Sequence, residues 1–221
     1  PGGINLSQVN TNRKSARDRN LSYDSGESLN QKRIGLVYER DHSSGLLTVR
    51  NYYVTRDFSN KLPFKNGGSV NIDRKFYGFG MQYQFGESLP ENFSLTTGFD
   101  TDRQDDDRKR FNNDSGKLGS MSFDQQEKVN SNGLFVQSRY DLGNWSISSG
   151  IRYDEVKFDI TDRFLSNGDD SGEIEFDAVS PSFGLNYVME NASIFASMSS
   201  SFETPTTTEL ANPDASGGFN A

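Results

Sequence analysis

The chain has 221 residues, no cysteine and a formal net charge of −8 at pH 7. This excludes a disulfide scaffold and a cysteine nucleophile, and it makes nucleic-acid binding unexpected because phosphate contacts need a basic face. Hydrophobic residues make up only 32% of the chain, yet aromatic residues make up 12%. Because disordered chains contain few aromatic residues, we expect a folded sheet in which one face of each strand is buried and the other face is exposed to water.

The first four predicted elements are strands of alternating apolar and polar side chains, at residues 31–39, 46–58, 72–85 and 92–102. The third is the clearest of these, with Tyr77, Phe79 and Met81 on one face and Gly78 and Gly80 on the other. Side chains point alternately to the two faces of a strand, so such a strand has one apolar and one polar face. The second strand alternates poorly, and its apolar face stays undetermined.

The last four predicted strands cover residues 128–141, 145–154, 176–188 and 193–202. The sixth begins at Trp145 and ends at Asp154, and a tilted strand of about ten residues can cross the hydrocarbon core of a bilayer. Its aromatic residues Trp145 and Tyr153 suit the two membrane interfaces. The face of the eighth strand stays undetermined, because Ile194, Phe195 and Ala196 follow one another.

The predicted connections differ in length according to their order. Short turns follow strands one, three, five and seven, whereas long polar loops follow the others, at residues 59–69, 103–127, 159–175 and 204–221. Antiparallel strands place all short turns at one end of the sheet, and outer-membrane barrels have this asymmetry. We therefore predict an all-β, antiparallel up-and-down transmembrane β-barrel segment, with a soluble β-sandwich or jelly roll as the alternative.

Few side chains could carry out chemistry. The single histidine, His42, lies in a predicted turn, so a hydrolase triad or a histidine-based zinc site is not expected. The charged stretch 103–114 does not match EF-hand spacing, and we interpret it as a solvated loop whose charges pair with one another. Candidate ligand contacts are arginine and aromatic side chains on predicted loops, because arginine binds anionic oxygens in bidentate fashion. These candidates are Phe64, Arg108, Arg110, Phe111, Arg163 and Phe164.

The end of the sequence resembles a known family. Phe202, Pro205, Glu209 and Leu210 stand as in a stretch of TonB-dependent outer-membrane receptors that closes an upward strand and enters an extracellular loop. Residues 150–154 and 180–187 resemble the two preceding strands of that family, in the same order and at a similar separation.

The resemblance implies a barrel of about 22 strands filled by an N-terminal plug. Such receptors import ferric siderophores, cobalamin or other scarce nutrients with energy from the TonB complex. They carry out no covalent chemistry, use no cofactor, and lie among the lipid and lipopolysaccharide of the outer membrane of Gram-negative bacteria. No TonB box, plug or C-terminal strand ending in an aromatic residue is recognisable. We therefore expect residues 1–221 to form part of the barrel domain, with residues 1–29 as the tail of an extracellular loop.

Three other interpretations remain open at this point. A passive porin-like channel would need no plug. A soluble carbohydrate-binding β-sandwich would stay monomeric without detergent. The strand count alone also allows a complete eight-stranded outer-membrane barrel.

Overall fold

A computed structural model of the protein describes residues 3–87 and 89–210. Within these residues lies one eight-stranded antiparallel sheet, in which each strand pairs with its neighbours in the sequence. The strands are β1 Gly26–His42, β2 Gly45–Lys61, β3 Ser69–Phe85, β4 Phe93–Asp114, β5 Lys117–Leu142, β6 Trp145–Asp162, β7 Gly172–Val188 and β8 Ser193–Ser199. Three short helices flank the sheet: α1 Leu6–Thr11, α2 Asp18–Ser22 and α3 Thr207–Leu210. The eight strands and their up-and-down order were predicted correctly, and no pairing of β1 with β8 closes the sheet in this part of the chain.

The predicted loop at residues 103–127 is wrong. Strand β4 continues to Asp114 and β5 begins at Lys117, which leaves a two-residue turn at Ser115 and Gly116. Both turn residues have positive φ values, 53° and 91°, as tight hairpin turns require. The stretch stays extended because charged side chains of β4 pair with side chains on neighbouring strands. Asp106, for example, pairs with Arg74 of β3.

The connections after β2 and β6 are also shorter than predicted. The structure has loops at residues 62–68 and 163–171, and β8 ends before the predicted boundary. Strand β1 begins earlier than predicted, and α1 and α2 lie in the expected loop tail before it. Of the predicted final loop, residues 211–221 lie outside the described part of the chain. The predicted turn at 86–91 includes residue 88, which the structure also leaves undescribed.

The cross-strand register shows which residues of β2 and β8 lie on the apolar face, which the sequence pattern left undetermined. In β2, Leu47 and Val49 lie opposite Tyr83 and Met81 of β3, so they belong to the apolar face. In β8, Ile194 lies opposite Tyr187, Ala196 opposite Leu185 and Met198 opposite Phe183, on the same face. Large side chains on this face are exposed to solvent, for instance 48% for Phe183 and 53% for Ile151. A contiguous exposed apolar face of this kind marks a contact with lipid or protein.

The upper limit of the apolar face shifts across the sheet. Counted from the turns that follow β1, β3, β5 and β7, the apolar face of β5–β7 ends just before the row Asn132–Glu155–Asp177. On β1–β3 the apolar face continues two rows further from those turns, to the row Ile34–Tyr53–Tyr77. Strands tilted to a barrel axis produce such a stepped boundary. We call the apolar-face residues between this boundary and the turns that follow β1, β3, β5 and β7 the apolar band. All strands except β8 extend beyond the band at the end opposite the short turns.

Candidate ligand-contact site on the polar face

An ion-pair network lines the polar face of the strands at the height of the apolar band. Arg152 binds Asp100 at 3.0 Å and Asp154 at 2.8 Å, and Arg50 lies 3.8 Å from Asp100. Gly133 leaves the space for it, because a β-carbon there would lie 2.1 Å from Nη2 of Arg152. The polar-face glycines thus make room for inward side chains on neighbouring strands.

Beyond this network, four arginines occupy the polar face of the strand extensions. We call Arg56 of β2, Arg74 of β3, and Arg108 and Arg110 of β4 the arginine cluster. Register places Arg56 opposite Arg74, and Arg74 opposite Asp106. Because these positions lie above the apolar band and face the polar side, the cluster lies at the mouth of the channel that a closed sheet would enclose.

Two members of the cluster are held by buried carboxylates. Arg74 donates two hydrogen bonds to Asp106, from Nε at 2.7 Å and from Nη2 at 2.5 Å. Nη1 of Arg108 donates to Oε1 of Glu127 at 3.0 Å. Asp106 is 1% exposed and Glu127 is 3% exposed. Removing one partner of a buried pair leaves an uncompensated charge, so these pairs fix the positions of the guanidinium groups.

The other two arginines have no carboxylate within 4 Å among the described residues. The Nε atoms of Arg56 and Arg110 are both buried there without a hydrogen-bond partner. The guanidinium groups of Arg108 and Arg110 both lie over the ring of Phe123, at 5.5 and 5.3 Å. Burial, reinforced by the charge of Arg108, lowers the pKa of Arg110. An anionic ligand would relieve this unfavourable environment, because a negative charge close to a cation favours its charged form.

Residues 200–210 leave β8 and return across the polar face; we call them the return segment. Phe202 and Leu210 pack against Val156 and Phe158 of β6. This cluster contains three of the four buried hydrophobic residues that the structure describes. The return segment is therefore anchored on the polar face beside the arginine cluster.

Polar contacts complete the attachment of the return segment. Oγ1 of Thr207 donates to Oε2 of Glu127 at 2.9 Å. Glu209 accepts hydrogen bonds from the backbone N–H of Thr206 at 2.7 Å and from its hydroxyl at 2.9 Å, and these bonds hold the pKa of Glu209 below its usual value. Pro205 is half-buried just before this turn. The four residues that carry the family resemblance thus shape and anchor this segment.

The six predicted ligand contacts do not come together in one place. Phe64 lies on the loop at residues 62–68, and Arg163 and Phe164 lie on the loop after β6, as predicted. Arg163 bends onto the opposite face of the sheet, where it pairs with Asp107 at 3.2 Å and lies 3.9 Å from Asp124. It therefore points away from the arginine cluster.

For the other three, the predicted loop position is wrong. Arg108, Arg110 and Phe111 lie in β4, because that strand continues beyond the apolar band. Arg108 and Arg110 share the polar face, whereas Phe111 lies at an irregularity of the register, opposite Ser69 and Met121. Ligand contact by any of the six stays a prediction.

Sequence reasoning did not single out Arg56, Arg74, Asp106 or Glu127 as site residues. A signal was present for the strand itself, since residues 103–114 contain neither glycine nor proline. Nothing in the sequence, however, gives the register that places Arg74 beside Asp106.

The geometry of the cluster suits binding of an oxygen-rich anion. Arginine side chains can donate bidentate hydrogen bonds to oxygen-rich anions, and two of the four guanidinium groups lie over the half-buried ring of Phe123. Among residues 3–87 and 89–210, no three or more His, Cys, Asp or Glu side chains are grouped to hold a metal ion. No helix in that part of the chain is long and apolar enough to cross a membrane.

Comparison with known families identifies the chain. The family model described as TonB dependent receptor-like, beta-barrel matches residues 1–221. The chain belongs to the TonB-dependent receptor family. The predicted family and the predicted fold class, a segment of an antiparallel up-and-down transmembrane barrel, are confirmed. The soluble β-sandwich is thereby set aside.

Solved structures of metal transporters share the fold of this chain at low sequence identity. The unliganded ferric citrate transporter FecA has a TM-score of 0.67 and 16% identity, over 89% of this chain and 30% of FecA. The copper transporter OprC gives 0.62 and 12%, over 81% of this chain and 31% of OprC. The iron transporter FrpB from Neisseria meningitidis gives 0.59 and 17%, over 78% of this chain and 29% of FrpB. The chain thus spans about three tenths of the length of each of these transporters.

Proposed function

We propose that this chain is part of the barrel of an outer-membrane receptor that takes up an anionic ferric chelate, of the siderophore type, with energy from the TonB complex. The arginine cluster is the observation that carries the proposal. In the part of the chain that the structure describes, it presents two guanidinium groups without carboxylate partners, on the polar face beyond the apolar band. Three of the matching structures are named as transporters of ferric citrate, copper and iron, which supports a metal-containing cargo.

The proposal includes the surroundings of the receptor. The apolar band contacts outer-membrane lipid, and the charged extensions above it lie in the lipopolysaccharide layer of a Gram-negative cell. The polar face contacts a plug, through which the TonB complex acts. In this proposal, residues 1–221 are a part of the barrel domain, and the plug and the C-terminal strands belong to other parts of the same receptor. The protein binds and moves its ligand without covalent chemistry, so it is not an enzyme.

The iron specificity is tested by deleting the receptor gene and growing cells on single ferric chelates: citrate, a catecholate or a hydroxamate. We expect growth to fail on one of them and to return with the wild-type gene. Normal growth of the deletion strain on all of them would remove the iron proposal.

The site is tested by binding of that chelate to the purified receptor. Replacing both Arg56 and Arg110 by Gln should raise the Kd at least about tenfold, because hydrogen bonds to charged groups contribute roughly 1.5–3 kcal/mol each. Arg163→Gln is the matched control, since its guanidinium lies on the opposite face and pairs with Asp107. An unchanged Kd in the double variant would rule out the arginine cluster as the contact site.

A further inference from the structure

Three cations lie at the upper limit of the apolar band on the outward face of β1–β4. Lys32 and Lys75 share one register row, with Thr55 between them. Arg103 lies opposite Tyr77, one row closer to the band. Side chains two strands apart in one row are separated by about 10 Å, which flexible lysine side chains can bridge. We call Lys32, Lys75 and Arg103 the basic row.

The basic row has no carboxylate partner in the described part of the chain. None of its three side chains lies within 4 Å of an acidic oxygen there. Nη1 of Arg103 donates to the carbonyl oxygens of Asp102 at 3.0 Å and Ser131 at 3.3 Å. These bonds hold the guanidinium against the sheet without neutralising its charge. Asp105 lies opposite Lys75, but its Oδ1 accepts a hydrogen bond from Gln126 at 2.9 Å.

Below the basic row lies a surface suited to acyl chains and the membrane interface. Ile34, Tyr53 and Tyr77 form one row across β1–β3. The rings of the two tyrosines are 6.4 Å apart, and their side chains are exposed. Aromatic residues of outer-membrane barrels concentrate where acyl chains meet head groups. The three cations therefore lie at the height of the lipid head groups.

On the outward face of β6 and β7, at a similar distance beyond the apolar band, most of the charged side chains are acidic. The outward face of β6 and β7 carries Glu155, Glu173, Glu175 and Asp177, and its Lys157 is paired with Glu173 at 2.5 Å. This surface would repel an anionic head group, because like charges disfavour binding. An anion is therefore attracted to the basic row and repelled from the outward surface of β6–β7.

A second row of charges limits how far from the band the anion can lie. Asp57, Asp73 and Asp107 occupy the outward row beyond Lys75. Their carboxylates disfavour an anion further from the membrane. The lowest-energy position for a phosphate lies between this row and the tyrosines.

We propose that the basic row binds a phosphate group of an outer-leaflet lipid, with the acyl chains of that lipid on Ile34, Tyr53 and Tyr77. The occupant is the phosphorylated lipid portion of lipopolysaccharide. This inference rests on the proposed outer-membrane location. It is independent of which nutrient the arginine cluster binds, because the two sites lie on opposite faces of the sheet.

The experiment measures lipid binding to the full-length receptor, purified from outer membranes in detergent, by native mass spectrometry. The probes are bisphosphorylated lipid A, the same lipid with both phosphates removed, and inorganic phosphate. We expect the wild-type receptor to bind the bisphosphorylated lipid, to bind the dephosphorylated lipid at least about tenfold more weakly, and to keep the lipid in excess inorganic phosphate.

The test variant is the triple substitution Lys32→Gln, Lys75→Gln and Arg103→Gln, and it should lose at least about tenfold in affinity for the bisphosphorylated lipid. The matched control replaces Arg40, Lys109 and Lys157 by Gln. It removes the same total charge from the outward faces of β1, β4 and β6, outside the row of Lys32 and Lys75. Equal affinity of wild type and test variant, or an equal loss in the control, would overturn the lipid site.

The outcomes separate this proposal from the proposed function. A receptor that imports its chelate normally but shows no phosphate-dependent lipid binding overturns the lipid site alone. A receptor that binds the lipid through the basic row but imports no ferric chelate overturns the iron proposal alone. Absence of the receptor from the outer-membrane fraction would overturn both.

Discussion

At the scale of single residues, Gly98 shows how tightly the inner wall is packed. A β-carbon at this position would lie 2.6 Å from the carbonyl oxygen of Met81 and 2.6 Å from Cζ of Phe135. The guanidinium of Arg152 lies 5.9 Å from the centre of the Phe135 ring. The glycine therefore leaves space for the Phe135 ring against β4, and the ring in turn lies beside Arg152 of the ion-pair network.

We expect Gly98→Ala to destabilise the folded barrel by about 1–3 kcal/mol, because a backbone oxygen cannot move aside and overpacking forces a shift of the neighbouring strand. The measurement is the temperature at which the full-length receptor loses its folded band in heat-modifiability gels. Gly26→Ala is the control, since a β-carbon at Gly26 meets no atom within 4 Å. Equal midpoints for the two variants would contradict this account of the wall.

At the scale of elements, the extensions of β4 and β5 mark the limit of sequence reasoning. Within the apolar band one face is apolar, so alternation predicts the strands and most of their faces. Beyond the band both faces are polar, and residues 103–110 look like a solvated loop although they pair with β3 and β5. The same limit applies to the site. Arginines such as Arg110 could be chosen by residue type, whereas Arg56 and Arg74 enter only through the register.

The tip of the β4–β5 hairpin is held by one buried side chain, Asn113, which is 0% exposed. Its Nδ2 donates to the carbonyl oxygens of Tyr23 at 2.8 Å and Leu62 at 3.0 Å. Its Oδ1 accepts from the backbone N–H of Gly116 at 2.7 Å. One residue thus links the hairpin to the N-terminal segment and to the loop after β2.

We expect Asn113→Ala to loosen this end of the receptor, because each buried polar group left without its partner costs about 1–3 kcal/mol. Hydrogen–deuterium exchange of residues 111–120 should become at least about tenfold faster, with no change at residues 138–148. Asn144→Ala is the control, because Asn144 lies exposed in the short turn at the other end of β5. Unchanged exchange at the hairpin tip would show that Asn113 does not hold it.

At the scale of the whole molecule, the described sheet has two free edges. Strand β1 has 17 residues, exposed along its whole length, and β8 has seven. An unpaired strand edge offers backbone donors and acceptors to any other chain. In a closed barrel other strands satisfy these groups, and the stepped boundary of the apolar band shows a tilt that suits closure.

The isolated 221-residue chain, refolded in detergent, should therefore form oligomers rather than a monomer, as measured by size-exclusion chromatography with light scattering. A lysine on the long edge should reduce this association, because like charges repel when two β1 edges meet. We expect Val37→Lys in β1 to shift the distribution towards monomer, and Leu6→Lys in α1, which adds the same charge outside the β1 strand, to leave it unchanged. A monodisperse monomer of the unaltered chain would show that these 221 residues satisfy their own edges, and the assignment to a larger barrel would then have to be abandoned.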